Sequence, residues 1–224
     1  MKKILLIPVV VFCLNASGQS KIISIESVDD IIAAVGDKQY VFKDFTEGTV
    51  ALKSGETGSG LLNYNTMLNE LQFISDEQIL SVKNQRKVDS AIIDNRVFVN
   101  VGNGFAEIIA QNGDKKLSVR KEIKVKSAPK QSGYGGRSET AAIESYSALY
   151  SAQRYMQLPA EVQITESTVY LLFDKNKTVT ADKSGFLKSF PKNKKNINEF
   201  VKLNRISFND ENQLKQLFDY CTSL

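Results

Sequence analysis

The chain of 224 residues contains no histidine and no tryptophan, and it has only four prolines and two cysteines. Without histidine there is no Ser-His-Asp or Cys-His catalytic arrangement, no imidazole metal ligand and no histidine proton shuttle. Apolar residues make up 42% of the chain and charged residues 24%, a composition typical of a folded protein rather than a disordered one. The length suits one domain of upper-middle size.

Long apolar runs are also missing, since none approaches the roughly 18 residues of a membrane-spanning helix. The longest run, residues 4–14, follows Lys2 and Lys3 and precedes the small residues Ala16 and Gly18. This order predicts a signal peptide at residues 1–18 and export to the periplasm. The mature chain, residues 19–224, is then expected to contain no transmembrane segment.

The two cysteines bear on anchoring and redox chemistry. Cys13 follows Phe12, whereas bacterial lipid attachment needs a small residue there, so the chain is predicted not to be a lipoprotein. Removal of the signal peptide leaves Cys221, and a single cysteine cannot form an internal disulfide. Three alternatives stay open for Cys221: a small apolar group buried on a helix face, a disulfide between two chains, or a reactive thiol.

Turn residues divide residues 40–126 into short segments with a strand pattern, at 49–53, 60–65, 96–101, 106–110 and 117–125. Residues 54–59 are predicted to be a hairpin connection, and Gly102-Asn103-Gly104 a tight reversal. In the segment 117–125 four apolar residues alternate with Ser118, Arg120, Glu122 and Lys124. That period of two predicts a strand with one solvent-exposed face.

The C-terminal half changes character twice. Residues 127–138 form a glycine-rich loop, residues 139–157 are predicted as a helix, and strands follow at 169–173 and 178–181. After residue 182 the apolar period becomes 3.6, which predicts a helix before Pro191, a second capped by Asn193 and a third capped by Asn209. The core residues of the last two are Ile197, Phe200, Val201, Leu214, Leu217, Phe218 and Cys221. The sequence therefore predicts an α+β fold, a curved antiparallel meander with C-terminal helices packed against it.

Motifs that carry chemistry are weak. Ser-x-x-Lys occurs at Ser118, Ser127 and Ser189, no more often than this serine and lysine content produces by chance. Asp29-Asp30 is the closest carboxylate pair and is interpreted as solvated neighbours on a strand, and no phosphate-binding glycine loop is present. We therefore expect no catalytic residue, no metal and no cofactor, with a Ser/Lys hydrolase as a remote alternative.

The strongest signal of a binding surface is charge. Residues 175–205 carry nine basic side chains against only Asp182 and Glu199, whereas residues 19–126 are nearly balanced. An anionic lipid surface or an envelope protein would be attracted there, and export argues against nucleic acid. The candidate docking residues are Lys188, Lys192, Lys194, Lys195 and Lys202. The competing interpretation is that these lysines only keep the protein soluble.

Several segments resemble a pattern that recurs in uncharacterised exported proteins of Bacteroidota. They are Gly48-Thr49-Val50-Ala51-Leu52-Lys53, Leu62-Asn63-Tyr64-Asn65, Glu70-Leu71-Gln72-Phe73-Ile74, Asp94-Asn95-Arg96-Val97-Phe98, Phe186-Leu187-Lys188-Ser189-Phe190-Pro191 and Ile197-Asn198-Glu199-Phe200-Val201-Lys202. The resemblance implies an envelope location and supplies no activity and no site residue. The chain does not end in the β-domain that serves as the type IX sorting signal in that group, which favours the periplasm.

Two functional hypotheses are consistent with these observations. In the first, the protein is a non-catalytic interaction or scaffold protein of the envelope. In the second, it resembles lipoprotein carriers of the LolA/LolB type, in which a curved sheet shelters an acyl chain beneath helices. An apolar cavity of several hundred Å³ on the concave face of the sheet would favour a carrier, and a filled interior would favour the scaffold.

Overall fold

The computed structural model of the chain describes residues 20–128, 130–131, 137–138, 159–174 and 177–224. Its strands are β1 Ser20–Ser24, β2 Thr46–Leu52, β3 Thr57–Asn65, β4 Glu70–Ser75, β5 Gln78–Ser81, β6 Val88–Ile93, β7 Arg96–Asn100, β8 Phe105–Asn112, β9 Lys115–Ser127, β10 Lys130–Gln131, β11 Arg137–Ser138, β12 Glu161–Asp174 and β13 Lys177–Thr180. Its helices are α1 Val28–Val35, α2 Lys183–Ser189, α3 Lys194–Leu203 and α4 Glu211–Ser223. The signal peptide, the helix predicted at 139–157 and Lys175 lie outside the described residues.

All the strands except the short pair β10–β11 belong to one open, antiparallel sheet. The sheet contains two meanders in which strands consecutive in the chain pair with each other, β2 to β5 and β6 to β9. Pairing of β6 with β2 joins the two meanders. The long strands β9 and β12 pair along their whole length, from Val162 opposite Ser127 to Asp174 opposite Lys115. The helices α2 to α4 follow the sheet in the chain. The predicted α+β fold is confirmed.

The sheet is strongly curved. β3 and β8 are separated by three strands, so in a flat sheet they would lie about 19 Å apart. Yet the ring centroids of Tyr64 on β3 and Phe105 on β8 are 5.9 Å apart. The concave side between them is filled by a core of buried residues: Phe42, Val50, Leu62, Tyr64, Leu71, Val88, Ala91, Ile93, Phe98 and Phe105.

Tight turns with left-handed residues produce the meander. Asp94 and Asn95, between β6 and β7, both have positive φ (48° and 60°), the geometry of a two-residue turn that matches strand twist. The reversal predicted at Gly102-Asn103-Gly104 is confirmed, with the Val101 amide donating to the Gly104 carbonyl at 3.0 Å. At Gly104, with φ of 118°, a Cβ atom would lie 2.7 Å from the Tyr64 hydroxyl, so only glycine fits there.

Two further cores hold the helices on the sheet. α1 packs through Val28, Ile31 and Val35 onto Ile123 and Val125 of β9 and onto β12. The C-terminal helices pack on Leu117 and Leu172, near the other end of the same two strands, through a cluster that also contains Phe186, Phe190, Ile197, Leu214, Leu217, Phe218 and Cys221. The core residues predicted for these helices are therefore confirmed, with Phe200 and Val201 packed partly buried at its border.

Two local predictions were wrong. The cap of α4 is Asp210 rather than Asn209, because the Asp210 carboxylate accepts a hydrogen bond from the Gln213 amide at 2.9 Å. Asp29 and Asp30 lie in the first turn of α1, not on a strand. The Asp30 carboxylate accepts hydrogen bonds from the amides of Ser27 at 2.8 Å and Glu26 at 2.7 Å, which lower its pKa.

A third prediction, that one face of β9 is exposed to solvent, fails over half the strand. Ser118 and Glu122 are buried, and only Lys124 and Lys126 toward the end of that face are exposed. Glu122 forms ion pairs with Arg120 and with Lys124, and Arg120 also donates to Asn103 at 2.7 Å. Charged residues on this face are buried because they are paired with one another, which alternation alone does not reveal.

The helix–sheet core yields a stability prediction from two matched leucines. Leu217 is fully buried, whereas the side chain of Leu203 at the end of α3 is 83% exposed. Leu217→Ala is expected to lower the free energy of unfolding by about 2–5 kcal/mol because it leaves a cavity, and Leu203→Ala by less than about 0.5 kcal/mol. Urea denaturation of both variants measures this. Equal losses would contradict the packing described for α4.

Candidate docking surface

The elements α2, a turn of 3-10 helix at Pro191–Asn193 and α3 follow one another in the chain and pack on the C-terminal core, and together they are called the ridge. The Asp182 carboxylate caps α2 by accepting from the Gly185 amide at 2.7 Å, and Pro191 starts the next turn. Ile197 is fully buried, and Phe200 of α3 stacks on Tyr220 of α4 with ring centroids 4.1 Å apart. The apolar sides of the ridge are thus used in packing, and its polar side faces solvent.

The five lysines predicted as docking residues lie on this ridge and have exposed side chains. Lys188 belongs to α2, Lys192 to the 3-10 turn, and Lys194, Lys195 and Lys202 to α3. Together they are called the lysine surface. None of the five forms an ion pair with a carboxylate within the described residues. Their charge therefore remains available to a partner.

Further basic residues flank this ridge. Lys177, Lys183 and Arg205 are exposed as well, and Glu199 is the exposed acid on α3. Lys115 of β9 holds the end of α2 in place, since its Nζ donates to the Ser189 carbonyl at 2.8 Å and lies 4.7 Å from the centroid of the Phe190 ring. This contact connects the sheet to the ridge at the point where α2 gives way to the 3-10 turn.

The concave side of the sheet was the second place where the sequence suggested binding. Between Tyr64, Phe98, Phe105, Arg96 and Glu107 only about 10 Å³ of free volume remains, far less than a lipid chain requires. The Arg96 guanidinium lies 4.7 Å from the Phe42 ring and donates from Nε to Glu107 at 2.7 Å. Its hydrogen bond to Glu107 raises the pKa of Arg96, so it stays charged in this position.

The Tyr64 hydroxyl is fixed within this interior. It donates to the Asn69 side-chain oxygen at 3.2 Å and accepts from the Phe105 amide at 3.1 Å. Burial raises the pKa of Tyr64 to about 12, so the hydroxyl remains a neutral hydrogen-bonding group at physiological pH. It acts as a structural link between β3 and β8.

The remaining candidates for chemistry are not assembled into a site. Ser118 is buried and its hydroxyl faces the Leu171 carbonyl at 3.4 Å, while Lys121 is exposed on the other face of β9. Ser189 is buried and Lys192 is exposed. For the third match, Ser127 with Lys130, the structure describes the backbone of Lys130 and not its side chain. Within those ranges no three acidic or cysteine residues converge as metal ligands, and no helix is long and apolar enough to span a membrane.

Comparisons with known proteins add no identity. No protein-family model matches the chain, and neither does any curated protein or any solved structure. The resemblance to exported proteins of Bacteroidota therefore stays an expectation from the sequence. Function is inferred instead from the charge, exposure and packing of the described residues.

The environment of Cys221 shows which of the alternatives left open by the sequence applies. It is a free, buried thiol on the core side of α4, and burial raises its pKa from an ordinary value of about 8.5 to about 12. We expect a disulfide reagent such as DTNB to label the native protein far more slowly at pH 8 than the protein unfolded in urea. Fast labelling of the native state would contradict the burial.

The same thiol predicts a pH dependence of stability. The folded state holds the proton of the Cys221 thiol more tightly than the unfolded state does. The resulting contribution to the free energy of unfolding is complete below about pH 8.5 and is lost as the pH rises toward 12. Urea midpoints between pH 8 and pH 11 should fall more steeply for the wild type than for Cys221→Ala. Parallel curves would show that Cys221 makes no such contribution.

Proposed function

We propose that this chain is a non-catalytic, periplasmic protein of the bacterial cell envelope that docks peripherally on an anionic membrane surface through the lysine surface. The observation that supports this is the row of exposed lysines without carboxylate partners on the ridge of α2 and α3. Near an anionic membrane each such lysine contributes about 1 kcal/mol, so four or five give salt-sensitive association.

An exposed apolar residue favours a lipid surface over an acidic protein as the partner. Leu203 directly follows Lys202 at the end of α3, and its side chain is 83% exposed. An amphipathic element at a membrane places lysines at the headgroups and inserts apolar side chains at the boundary with the acyl chains. Leu203 supplies the apolar contact and the lysines supply the charge.

The carrier hypothesis has less support. At the centre of the concave side the aromatic side chains Phe42, Tyr64, Phe98 and Phe105 already pack together. The apolar pocket of about 320 Å³ that borders this core is open at the edge of β3 and does not enclose a ligand. Removing one of these rings from the core would cost about 3–5 kcal/mol, which a bound lipid would first have to offset. We therefore propose surface docking rather than enclosure of a ligand.

Vesicle binding tests the proposed docking. Lys192, Lys194, Lys195 and Lys202 replaced together by Gln should weaken binding to phosphatidylglycerol vesicles about tenfold or more at low salt, because the attraction is electrostatic. A matched control replaces the exposed lysines Lys43, Lys53, Lys83 and Lys87 of the β-rich half by Gln, with the same loss of charge. Sedimentation with vesicles measures both.

The outcomes separate the alternatives. Equal weakening by both sets would show a general charge effect and would overturn docking through the lysine surface. Binding that needs the lysine surface but persists with phosphatidylcholine alone would overturn the anionic surface as the partner. Leu203→Ala alone should bind vesicles more weakly than the wild type, and its binding should keep the salt dependence of the wild type because no charge is removed.

Export is tested separately. Expressed as the full chain in a Gram-negative host, the protein is expected in the periplasmic fraction with Gln19 as its first residue, as measured by mass spectrometry. Replacing Leu6 by Arg interrupts the apolar run and should leave the chain uncleaved in the cytoplasm. Cytoplasmic, uncleaved wild-type protein would contradict the periplasmic location and leave the vesicle result unaffected.

A further inference from the structure

Half of β3 has a free edge. On one side Thr57–Asn65 pairs with β2 from Thr57 to Leu62, but on the other side β4 pairs only with residues 62–65. Phe73 opposite Leu62 is the last pair, after which β4 continues with β5 alone and leaves β3. No described strand pairs with residues 57–61 on that side, and all five are exposed. A gap therefore opens between β3 and the β4–β5 hairpin.

The backbone groups at this edge can be assigned. The Leu52 amide donates to the Glu56 carbonyl at 2.8 Å across the β2–β3 turn, and the Val41 amide donates to the Tyr64 carbonyl at 3.1 Å on the same side of β3. In an antiparallel ladder these groups alternate, so those of residues 58 and 60 face β2. The amides and carbonyls of Thr57, Ser59 and Leu61 then point into the gap. Such a row of unpaired groups matches the backbone of an extended polypeptide.

An apolar pocket lies on the inner side of the gap. Its volume is about 320 Å³, and its apolar lining consists of Val50, Leu52, Leu62, Phe73 and Val82. Gly58 and Gly60 keep it open, because no atom lies within 4 Å of the position that a Cβ atom would take at either residue. A side chain at position 58 or 60 would project into this space. The pocket can thus accept apolar side chains from a strand placed beside β3.

Charge distinguishes the other face of the same strands. An open groove of about 900 Å³ crosses β2, β3 and β6 and is lined in part by Glu47, Asp94 and the exposed side chains of Leu61 and Ile92. Glu56 adds a carboxylate at the rim of the apolar pocket. Among the residues that the structure describes, no lysine or arginine lines either depression. Within the described residues Glu47 and Glu56 form no ion pair.

We propose that the gap between β3 and β4 binds an extended polypeptide segment in which apolar residues alternate with lysine or arginine. Its backbone pairs with Thr57, Ser59 and Leu61 as an added strand. Alternate side chains of a strand point to opposite faces, so the apolar ones enter the pocket while the basic ones lie over Leu61 toward Glu47. Glu47 lies on β2, on the far side of β3 from the added strand. The distance is two strand spacings, about 10 Å, which a lysine of the peptide and the Glu47 side chain can span together. This site does not depend on the lysine surface.

The probe is the acetylated and amidated heptapeptide Val-Lys-Val-Lys-Val-Lys-Val, labelled for fluorescence anisotropy. Two control peptides separate the contributions. One carries N-methyl groups on alternate amides and cannot pair as a strand, and the other has Glu in place of each Lys. The full protein is expected to bind the first peptide and to bind each control about tenfold more weakly or less. Equal binding of the N-methylated peptide would overturn the added strand.

Protein variants locate the site. Gly58→Val fills the pocket from a position with open space and is expected to weaken peptide binding about tenfold or more, because the apolar side chains lose their place. Thr57→Val is the matched control, since it places the same side chain one residue earlier, on the opposite face of β3. Circular dichroism confirms that both fold. Unchanged affinity for Gly58→Val would overturn the pocket as the binding site.

A second variant covers the case in which Gly58→Val does not fold. Ser59→Pro removes an amide that faces the gap and takes no part in the ladder with β2, a position where a strand tolerates proline. It should reduce affinity for the first peptide and leave the weak binding of the N-methylated peptide unchanged. Equal affinities of Ser59→Pro and the wild type for the first peptide would also overturn the proposal.

Discussion

The Tyr64 hydroxyl holds the curvature of the sheet on which the other features depend. Its bonds to Asn69 and to the Phe105 amide join the turn after β3 to the start of β8, and three strands separate β3 from β8 in the sheet. The Tyr64 hydroxyl and the Phe105 amide are buried, so losing the bond between them would leave unsatisfied polar groups at a cost of about 1–3 kcal/mol. The curvature fills the centre of the concave side with aromatic rings, and the apolar pocket that remains on this side opens at the edge of β3.

Charges of opposite sign are separated along the molecule. The lysine surface lies on α2 and α3, whereas Glu47, Glu56 and Asp94 lie on or beside β2, β3 and β6. Because exposed charges are screened beyond about 8 Å at physiological ionic strength, each region acts on its own partner. An anionic lipid surface is repelled by the carboxylates, and a basic peptide is repelled by the lysines. The two proposed contacts are compatible in one molecule for this reason.

The meander followed by C-terminal helices could be predicted from residue patterns, because the periods of two and 3.6 follow from burying one face of a strand or helix. No element was predicted at β1, β4, β5, β6 or α1. Residues 54–59 were predicted as a loop, but residues 57–59 belong to β3, since glycine lowers strand propensity without preventing pairing to β2. The lysine surface could be located because lysines off the apolar stripe of a helix point outward. The gap beside β3 could not be predicted, because it depends on the residue at which β4 stops pairing with β3.

The glycines at the free edge of β3 lower the stability of the strand. Gly58 and Gly60 lie in the interior of a strand, where glycine is less favourable than alanine by roughly 0.5–1 kcal/mol each, and neither has a close packing contact that excludes a side chain. Glycine within a strand often marks a place where another backbone approaches closely. An exposed edge with an apolar pocket also invites aggregation, and residues 57–61 contain no charge or proline to prevent it. An added strand would cover the edge, fill the pocket that the glycines leave open and remove this exposure.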